Sequence, residues 1–320
     1  MKDVFDRVRE GAARVVAEAT LVRIEPARVE ALADSLAAAA KPAPTWDPRY
    51  HHVGSPGSTV AFVVTWNAVN FGSGWFPKLR KRGSLSGALT VLTGLKQRFD
   101  SEGPWSAAAL AEMEPEELAP IVGQDLGEPE ATEIVGLWAE ALRQLGAHLL
   151  AHFAGSFEAL VAAAGGSAAR LVELLARMPF YRDVAIWRGA EVPFYKRAQI
   201  TASDLALAFE GKGPGAFCDL DRMTLFADNL VPHVLRHHGV LAYAESLAER
   251  IEREELLPAG GEEEVQIRAC AVHAVELLAG ALARRARPTP PRILDSLLWT
   301  EGQSPHIKAR PRHRTRTVYY

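Results

Sequence analysis

Three groups of residues in this sequence have types and spacings that could do chemistry. The first is a carboxylate group, Asp219, Asp221 and Asp228, within the run Cys218-Asp-Leu-Asp-Arg-Met-Thr-Leu-Phe-Ala-Asp-Asn-Leu-Val-Pro232. Asp228 stands among Leu225, Phe226, Ala227, Leu230 and Val231. A carboxylate in such company costs desolvation energy unless it is paired or hydrogen-bonded, and it is then suited to acid–base or electrostatic work. Two local structures fit. A continuous helix would place Asp221 and Asp228 on one face, and Pro232 would leave the Asp228 carbonyl without its i+4 donor. Equally, Asp228 can be an N-cap that opens a helix at Asn229.

The second group is histidine. His233 and His237 stand four apart, with His238 beside them, a spacing that can hold a metal. No third ligand is signalled, and a basic helix end before Gly239 accounts for them as well. His51 and His52 lie in a loop with Trp46 and Tyr50, either as part of a ligand pocket or as an exposed pair. The third group combines rings with amides and cations: Trp66-Asn67, Asn70-Phe71, Trp75-Phe76, and Phe194-Tyr195-Lys196-Arg197 before Gln199. Rings can stack on a planar base and cations can hold a phosphate, but such stripes also serve as core.

Several function classes are excluded or lack support. There is no P-loop, GxGxxG, HExxH, paired CxxC or GxSxG. Thirty-six basic and 39 acidic residues give a formal charge of -3, which speaks against a generally polycationic nucleic-acid binder. Cys218 and Cys270 cannot build a disulfide framework, and both read as buried, inert thiols. No run is read as the roughly 20 apolar residues that span a bilayer, and residues 1–10 lack a signal-peptide core. The expectation is a cytoplasmic protein with no resident cofactor and no metal.

The elements that must position these residues are mostly helical. Pro26 can open a helix reaching Ala40, with Lys41-Pro-Ala-Pro44 stopping it. Residues 45–58 read as loop. Val60-Ala-Phe-Val-Val-Thr-Trp66 favours a strand by residue type, although a buried helix would look the same. Two Gly and a Pro keep residues 71–77 out of a regular helix. Helices are expected over 130–153, 156–164, 167–178, 195–209, 221–238, 243–255, 262–286 and 291–299, with Ser156 and Ser167 placed to cap. Residues 180–194 read as irregular or short extended structure. The tail from 303 is basic, with His306, Lys308, Arg310, Arg312, His313, Arg314 and Arg316, and reads as a solvated end. The expectation is a mainly α protein, one domain over 1–320, with room for a few short strands.

The combination of several segments resembles the queuosine salvage protein family, the queuosine 5'-phosphate N-glycosylase/hydrolases. They are Tyr50-His-His-Val-Gly54, Asn70-Phe-Gly-Ser-Gly-Trp-Phe-Pro77, Phe194-Tyr-Lys-Arg-Ala-Gln199, Leu225-Phe-Ala-Asp-Asn-Leu-Val-Pro232, Glu264-Val-Gln-Ile-Arg268 and Ile293-Leu-Asp-Ser-Leu-Leu-Trp299. The resemblance spans about residues 4 to 320. It departs at Asn67, where relatives often carry an acid, and at Asn229, where a Tyr is common.

The resemblance implies a helical fold similar to that of helical DNA glycosylases. It also implies hydrolysis of the N-glycosidic bond of queuosine 5'-phosphate, which releases queuine for salvage into tRNA. In that chemistry Asp228 would stabilise an oxocarbenium-like ribose and activate water, and Asp295 would meet the leaving base as the second acid. Phe226, Trp75 and Phe76 would stack on the base. His51, His52, Asn67 and Asn229 would meet polar edges, and Lys196 and Arg197 would hold the phosphate, with the tail arginines as rivals. The partner would be a small-molecule substrate, with no stable nucleic-acid partner and no membrane. The alternatives are a helical DNA-repair-type glycosylase acting on a flipped base, and a non-catalytic binding protein for a modified base or nucleotide.

Overall fold

A computed structural model describes residues 2–38 and 44–320. The expected stop at Lys41-Pro-Ala-Pro44 lies almost wholly outside the described residues. The protein is mainly α-helical, and its chain contacts divide it into two compact units. The first contains Met1–Pro44, Asp183–Lys196 and Asp219–Arg316, and the second Thr45–Arg182, Arg197–Cys218 and Thr317–Tyr320.

The first unit is built on the helix Glu262–Arg284. Most of its length is buried, against the helices Val4–Glu18 and Pro26–Ala38 and near Val231–His237 and Pro291–Gly302. By length and composition this helix is apolar enough to cross a membrane, a property that the reading from sequence missed. Its most apolar 18-residue window is 72% buried inside the fold, and it carries a fully buried Arg268. Both traits are those of a core helix. The helix Val4–Glu18 opens with a capping box in which Asp3 Oδ1 accepts from Phe5 and Asp6 at 3.0 Å. Gly11 in that helix lets Val192 and Pro193 approach, since a Cβ there would stand 3.2 Å from Pro193 Cδ.

Two small antiparallel sheets complete the unit. Val22–Ile24 pairs with Leu241–Tyr243, and Val184–Trp187 pairs with Ala190–Pro193 as a hairpin over the segment expected to be extended. Gln266 of the core helix accepts the N–H groups of Thr20 and Leu21 at 3.0 and 2.8 Å. It thereby satisfies backbone donors in the turn that leads into Val22–Ile24.

The second unit contains the helices Pro56–Ala68, Gly87–Glu102, Ala107–Ala111, Pro115–Val122, Pro129–Phe153, Phe157–Ala162 and Ala168–Leu175, and most of Lys196–Ala208. The apolar run 60–66 is helix, not strand. Ser55 caps it, Pro56 occupies its first turn, and every residue from Thr59 to Ala68 is buried. Burial on all sides removes the polar face by which a helix is recognised, so only β-branched residue types remained visible. Ser156 and Ser167 cap their helices by accepting from Ala159 and Arg170 at 3.1 and 3.2 Å. Gly146 in Pro129–Phe153 admits the helix Ala107–Ala111, whose Ala111 nitrogen would lie 2.3 Å from a Cβ at that position.

Candidate active site

The carboxylate run does not fold as one helix. Leu220–Arg222 is a single 3-10 turn, residues 223–230 are irregular, and a helix runs only over Val231–His237. This corrects the expected helix over 221–238. The cause is local. Pro232 has no N–H and belongs in a first turn, and Asp228 holds the backbone N–H groups of Leu230 and Val231 just ahead of it. Asp228 Oδ1 accepts the N–H groups of Leu230 and Val231 at 2.8 and 3.0 Å. The helix opens at Val231 with Leu230 as its N-cap and without a side-chain cap, so neither the continuous helix nor a cap at Asp228 opening a helix at Asn229 is what forms; Asp228 instead holds the turn that leads into the helix. Asp221 does not share a face with Asp228; it lies exposed on Arg292 at 3.0 Å.

Holding the turn does not exhaust Asp228. From residue 223 to 235 every residue is buried except Asp228, which is partly exposed. Both backbone donors sit on Oδ1, and neither of them engages Oδ2. The two residues before Asp228 are pinned as well. The Phe226 N–H donates to Asp295 Oδ1 at 3.2 Å, and the Ala227 carbonyl accepts from Arg268 Nε at 3.0 Å. Phe226 and Asp295 are themselves buried. Asn229 is 4% exposed, and its amide nitrogen meets no acceptor among the described residues.

Arg268 is the centre of a buried charge cluster. Its Nη1 and Nη2 donate to Asp183 Oδ1 and Oδ2 at 2.9 and 2.7 Å, and Nη1 also reaches Glu264 at 3.3 Å. Its guanidinium lies 4.0 Å from the centre of the Phe194 ring. Asp183 also accepts the backbone N–H of Lys196 at 3.1 Å, and the Lys196 side chain is buried. The sequence carried one signal for this cluster, an acid and a base four apart at Glu264 and Arg268 near the start of a long helix rich in apolar residues. Asp183 gave none.

The basic tail is not a solvated end. Leu257 N–H donates to the Arg314 carbonyl at 2.8 Å, and His313 and Thr315 are buried. The alternation was present in the sequence: arginines at 312, 314 and 316 with His313 and Thr315 between them is a period-two pattern. Burial pushes the His313 pKa down to about 3, with Arg312 the next cause. Burial lowers the Arg312 pKa, while the charge of Asp228 acts to raise it. His233 Nε2 meets the Ile307 carbonyl at 3.0 Å, and His238 Nε2 meets Glu301 at 2.9 Å. No group of three His, Cys, Asp or Glu side chains among the described residues is arranged to hold a metal.

The remaining expected residues belong to the second unit. His51 stacks on Trp46 at 3.9 Å, its Nδ1 lies 2.9 Å from the Asp47 carbonyl, and burial lowers its pKa. His52 is engaged at both nitrogens, with Asp100 at 2.6 Å and Ser58 at 2.7 Å. Asn67 donates to Val63 and Asp204 at 3.1 and 2.9 Å and accepts from Asn70 at 3.2 Å. Trp75 is buried with its indole N–H on Glu133 at 2.8 Å, while Phe76 is partly exposed. Arg197 is 2% exposed and donates to the carbonyls of Asn67, Ala68 and Phe180 between the rings of Phe71 and Tyr181. That guanidinium ties down the end of the helix Pro56–Ala68.

Cys270 is buried and its thiol is pushed up to about 12, whereas Cys218 is exposed, against expectation. Cys218 follows the 3-10 turn at Gly213–Gly215, outside any helix face that would cover it.

Comparison with known proteins adds a second line of evidence. The sequence model of a family described as "Queuosine salvage protein" matches residues 50–320. A protein of Sphaerobacter thermophilus named queuosine 5'-phosphate N-glycosylase/hydrolase is 39% identical over 327 residues, covering 100% of both chains. Proteins of the same name from Dictyostelium discoideum and Mus musculus are 35% and 38% identical. They cover 68% and 56% of this chain and 66% and 56% of their own lengths.

Proposed function

The chain belongs to the queuosine salvage protein family, and from that premise we propose that Asp228 is the carboxylate with which it hydrolyses the N-glycosidic bond of queuosine 5'-phosphate. The enzyme is an N-glycosidase, and its substrate is a small-molecule nucleotide. The observation that carries the residue assignment is the placing of Asp228. It is the one partly exposed residue in the buried stretch 223–235, with Oδ1 fixed by two backbone donors.

The chemistry follows from that placing. As the bond from C1' to the base nitrogen breaks, its electron pair leaves with the base and C1' becomes cationic. A carboxylate oxygen held against C1' stabilises that charge without having to reorganise. Water then bonds to C1', Asp228 takes a proton from it, and the base nitrogen gains one. The products are queuine and the free ribose 5-phosphate. Asp295 is our candidate for the acid that supplies the base with its proton. It is close to the centre in sequence terms only through structure, since its Oδ1 holds the backbone of Phe226. Phe226 is our candidate for stacking on the base, and the amide of Asn229 for meeting a polar edge of the substrate.

For the 5'-phosphate we favour Lys196 and Arg312, because both terminal nitrogens of Arg197 already donate to backbone carbonyls. His51, His52, Asn67, Trp75 and Phe76 stay in the proposal as substrate-contacting residues by type and motif. Of these, His51 and Phe76 have the least of their chemistry committed to neighbours. We place the reaction on the free nucleotide in the cytoplasm, not on a nucleic acid or at a membrane; the formal charge of -3 supports the first choice.

The test is direct. Purified protein is incubated with queuosine 5'-phosphate and, separately, with queuosine, and free queuine is followed by mass spectrometry. Release from the nucleotide that vanishes in Asp228→Asn is the expected result. Release that persists in a correctly folded Asp228→Asn protein would remove Asp228 from the centre.

A further inference from the structure

The reaction as written makes no use of the buried charge cluster around Arg268. That residue is 2% exposed and faces two carboxylates, Asp183 and Glu264, which are buried to a similar degree. A bidentate pair with Asp183 would already neutralise the guanidinium. The Nε–H nevertheless points elsewhere, to the Ala227 carbonyl at 3.0 Å.

Ala227 immediately precedes Asp228. Its carbonyl lies in the plane of the peptide that joins the two residues. Holding that carbonyl fixes the direction in which the Asp228 side chain leaves the backbone. On the far side, the Asp228 carboxylate is tied to Leu230 and Val231. Residues 223–230 lie in no helix or strand that would set their course. The Nε contact is therefore one of few constraints on that plane. Its other end is anchored through Asp183 to the hairpin Val184–Trp187 and Ala190–Pro193, because Asp183 also accepts the N–H of Lys196 and its carbonyl accepts the N–H of Phe194 at 2.9 Å.

We propose that Arg268 is a positioning residue for the glycosidase reaction: it orients Asp228 by holding the Ala227–Asp228 peptide plane against the Asp183 anchor. The proposal rests on the reading that Asp228 is the catalytic carboxylate. Arg268 touches no reacting atom in this scheme. It sets where the carboxylate stands, and a displacement near 1 Å at such a group costs roughly 10²-fold in rate.

Arg268→Lys separates positioning from stability. An ammonium can sit between Asp183 and Glu264, but it has no planar fork with which to reach the Ala227 carbonyl as well. The control is Glu264→Gln, which disturbs the same cluster and leaves the Nε contact in place. The expected result is a fall in kcat of roughly 10²-fold for Arg268→Lys, with KM within about twofold of wild type. Glu264→Gln should lose thermal stability while keeping kcat. In a second measurement, Arg268→Lys is added to Asp228→Asn. No further loss of the residual rate is expected, because positioning acts only through the carboxylate.

If Arg268→Lys does not fold, Arg268→Met with Asp183→Asn replaces it, since that pair leaves the net charge of the cluster unchanged, and the same kcat loss is expected. Equal kcat in the Lys variant and wild type, or a full additional loss on the Asp228→Asn background, would overturn the positioning role. Undiminished activity of Asp228→Asn alone would instead overturn the catalytic assignment beneath it, so the two failures are told apart.

Discussion

Asp295 Oδ1 accepts the backbone N–H of Phe226 at 3.2 Å, joining residues 69 positions apart. The bond ties the irregular segment before Asp228 to the helix Pro291–Gly302. It gives Asp295 two possible duties, an acceptor for the backbone and an acid for the departing base, and these respond differently to substitution.

Asp295→Asn keeps an oxygen in the Oδ1 position and removes the acidic proton. If Asp295 supplies the proton, Asn should lower kcat by about 10²- to 10⁴-fold, and Asp295→Ala should do no worse while losing stability. If the residue is only an acceptor, Asn should retain most activity and Ala alone should fail. Steady-state kinetics and thermal melts of the two variants settle the duty.

Asp228→Asn should leave the fold intact, because the amide oxygen can still accept from Leu230 and Val231. Turnover should fall by at least about 10²-fold. Asp228→Ala should lose turnover and also about 1 kcal/mol of stability, the usual net worth of a side-chain hydrogen bond such as those to Leu230 and Val231. A melt in which Ala and Asn are equally stable would show that the two backbone bonds contribute nothing.

The helical frame was legible where periodicity met a cap, as at Ser156 and Ser167 and along residues 130–153. It was not legible where burial was total: in Pro56–Ala68 no polar face marked the helix. The stretch 221–238 misled because its apolar spacing fits a helix, whereas Asp228 and Pro232 act together to delay the start to Val231. Asp228 could be singled out as a carboxylate in apolar company. Arg268 could not be connected to it, because that link runs through a carbonyl 41 positions away. The tail was misjudged by counting its charges and overlooking the alternation that puts His313 and Thr315 inside.

Gly302 closes the helix Pro291–Gly302 against the segment that follows Asp228. A Cβ there would stand 2.9 Å from Leu230 Cγ and 2.9 Å from Val234 Cγ2. Both neighbours are buried, so Gly302→Val should cost about 1–3 kcal/mol through overpacking. Chemical denaturation measures it, and an unchanged midpoint would mean that the contact relaxes freely.

The two thiols should separate cleanly. Cys218 is exposed, while Cys270 is buried with its thiol raised to about 12. Thiolate is the reactive form, so a thiol reagent at pH 8 should modify Cys218 in the native protein and Cys270 only after denaturant is added. Mass spectrometry of the labelled peptides reads the order, and native labelling of Cys270 would contradict the packing of the core helix.

Acid should destabilise this protein through its buried histidines, with His313 the largest single contributor. In the unfolded chain a histidine takes up its proton near pH 6.5. In the fold His313 does so only near 3, because burial opposes the charge and Arg312, His233, Arg268 and Arg236 all add positive potential. Between those values the unfolded chain binds a proton that the folded chain does not, so each step down in pH favours unfolding. The stability held by neutral His313 is complete above about pH 6.5 and is lost progressively as pH falls towards 3, reaching about 2 kcal/mol at pH 5. His51, His148, His233 and His273 are lowered by burial as well and add to the same slope. His313→Gln removes one titrating group and cannot gain a proton. Its Tm should drop less between pH 7.5 and pH 5 than that of the wild type, even though the variant starts lower. Parallel Tm curves for the two proteins would show that His313 titrates normally and that the tail is not packed as described.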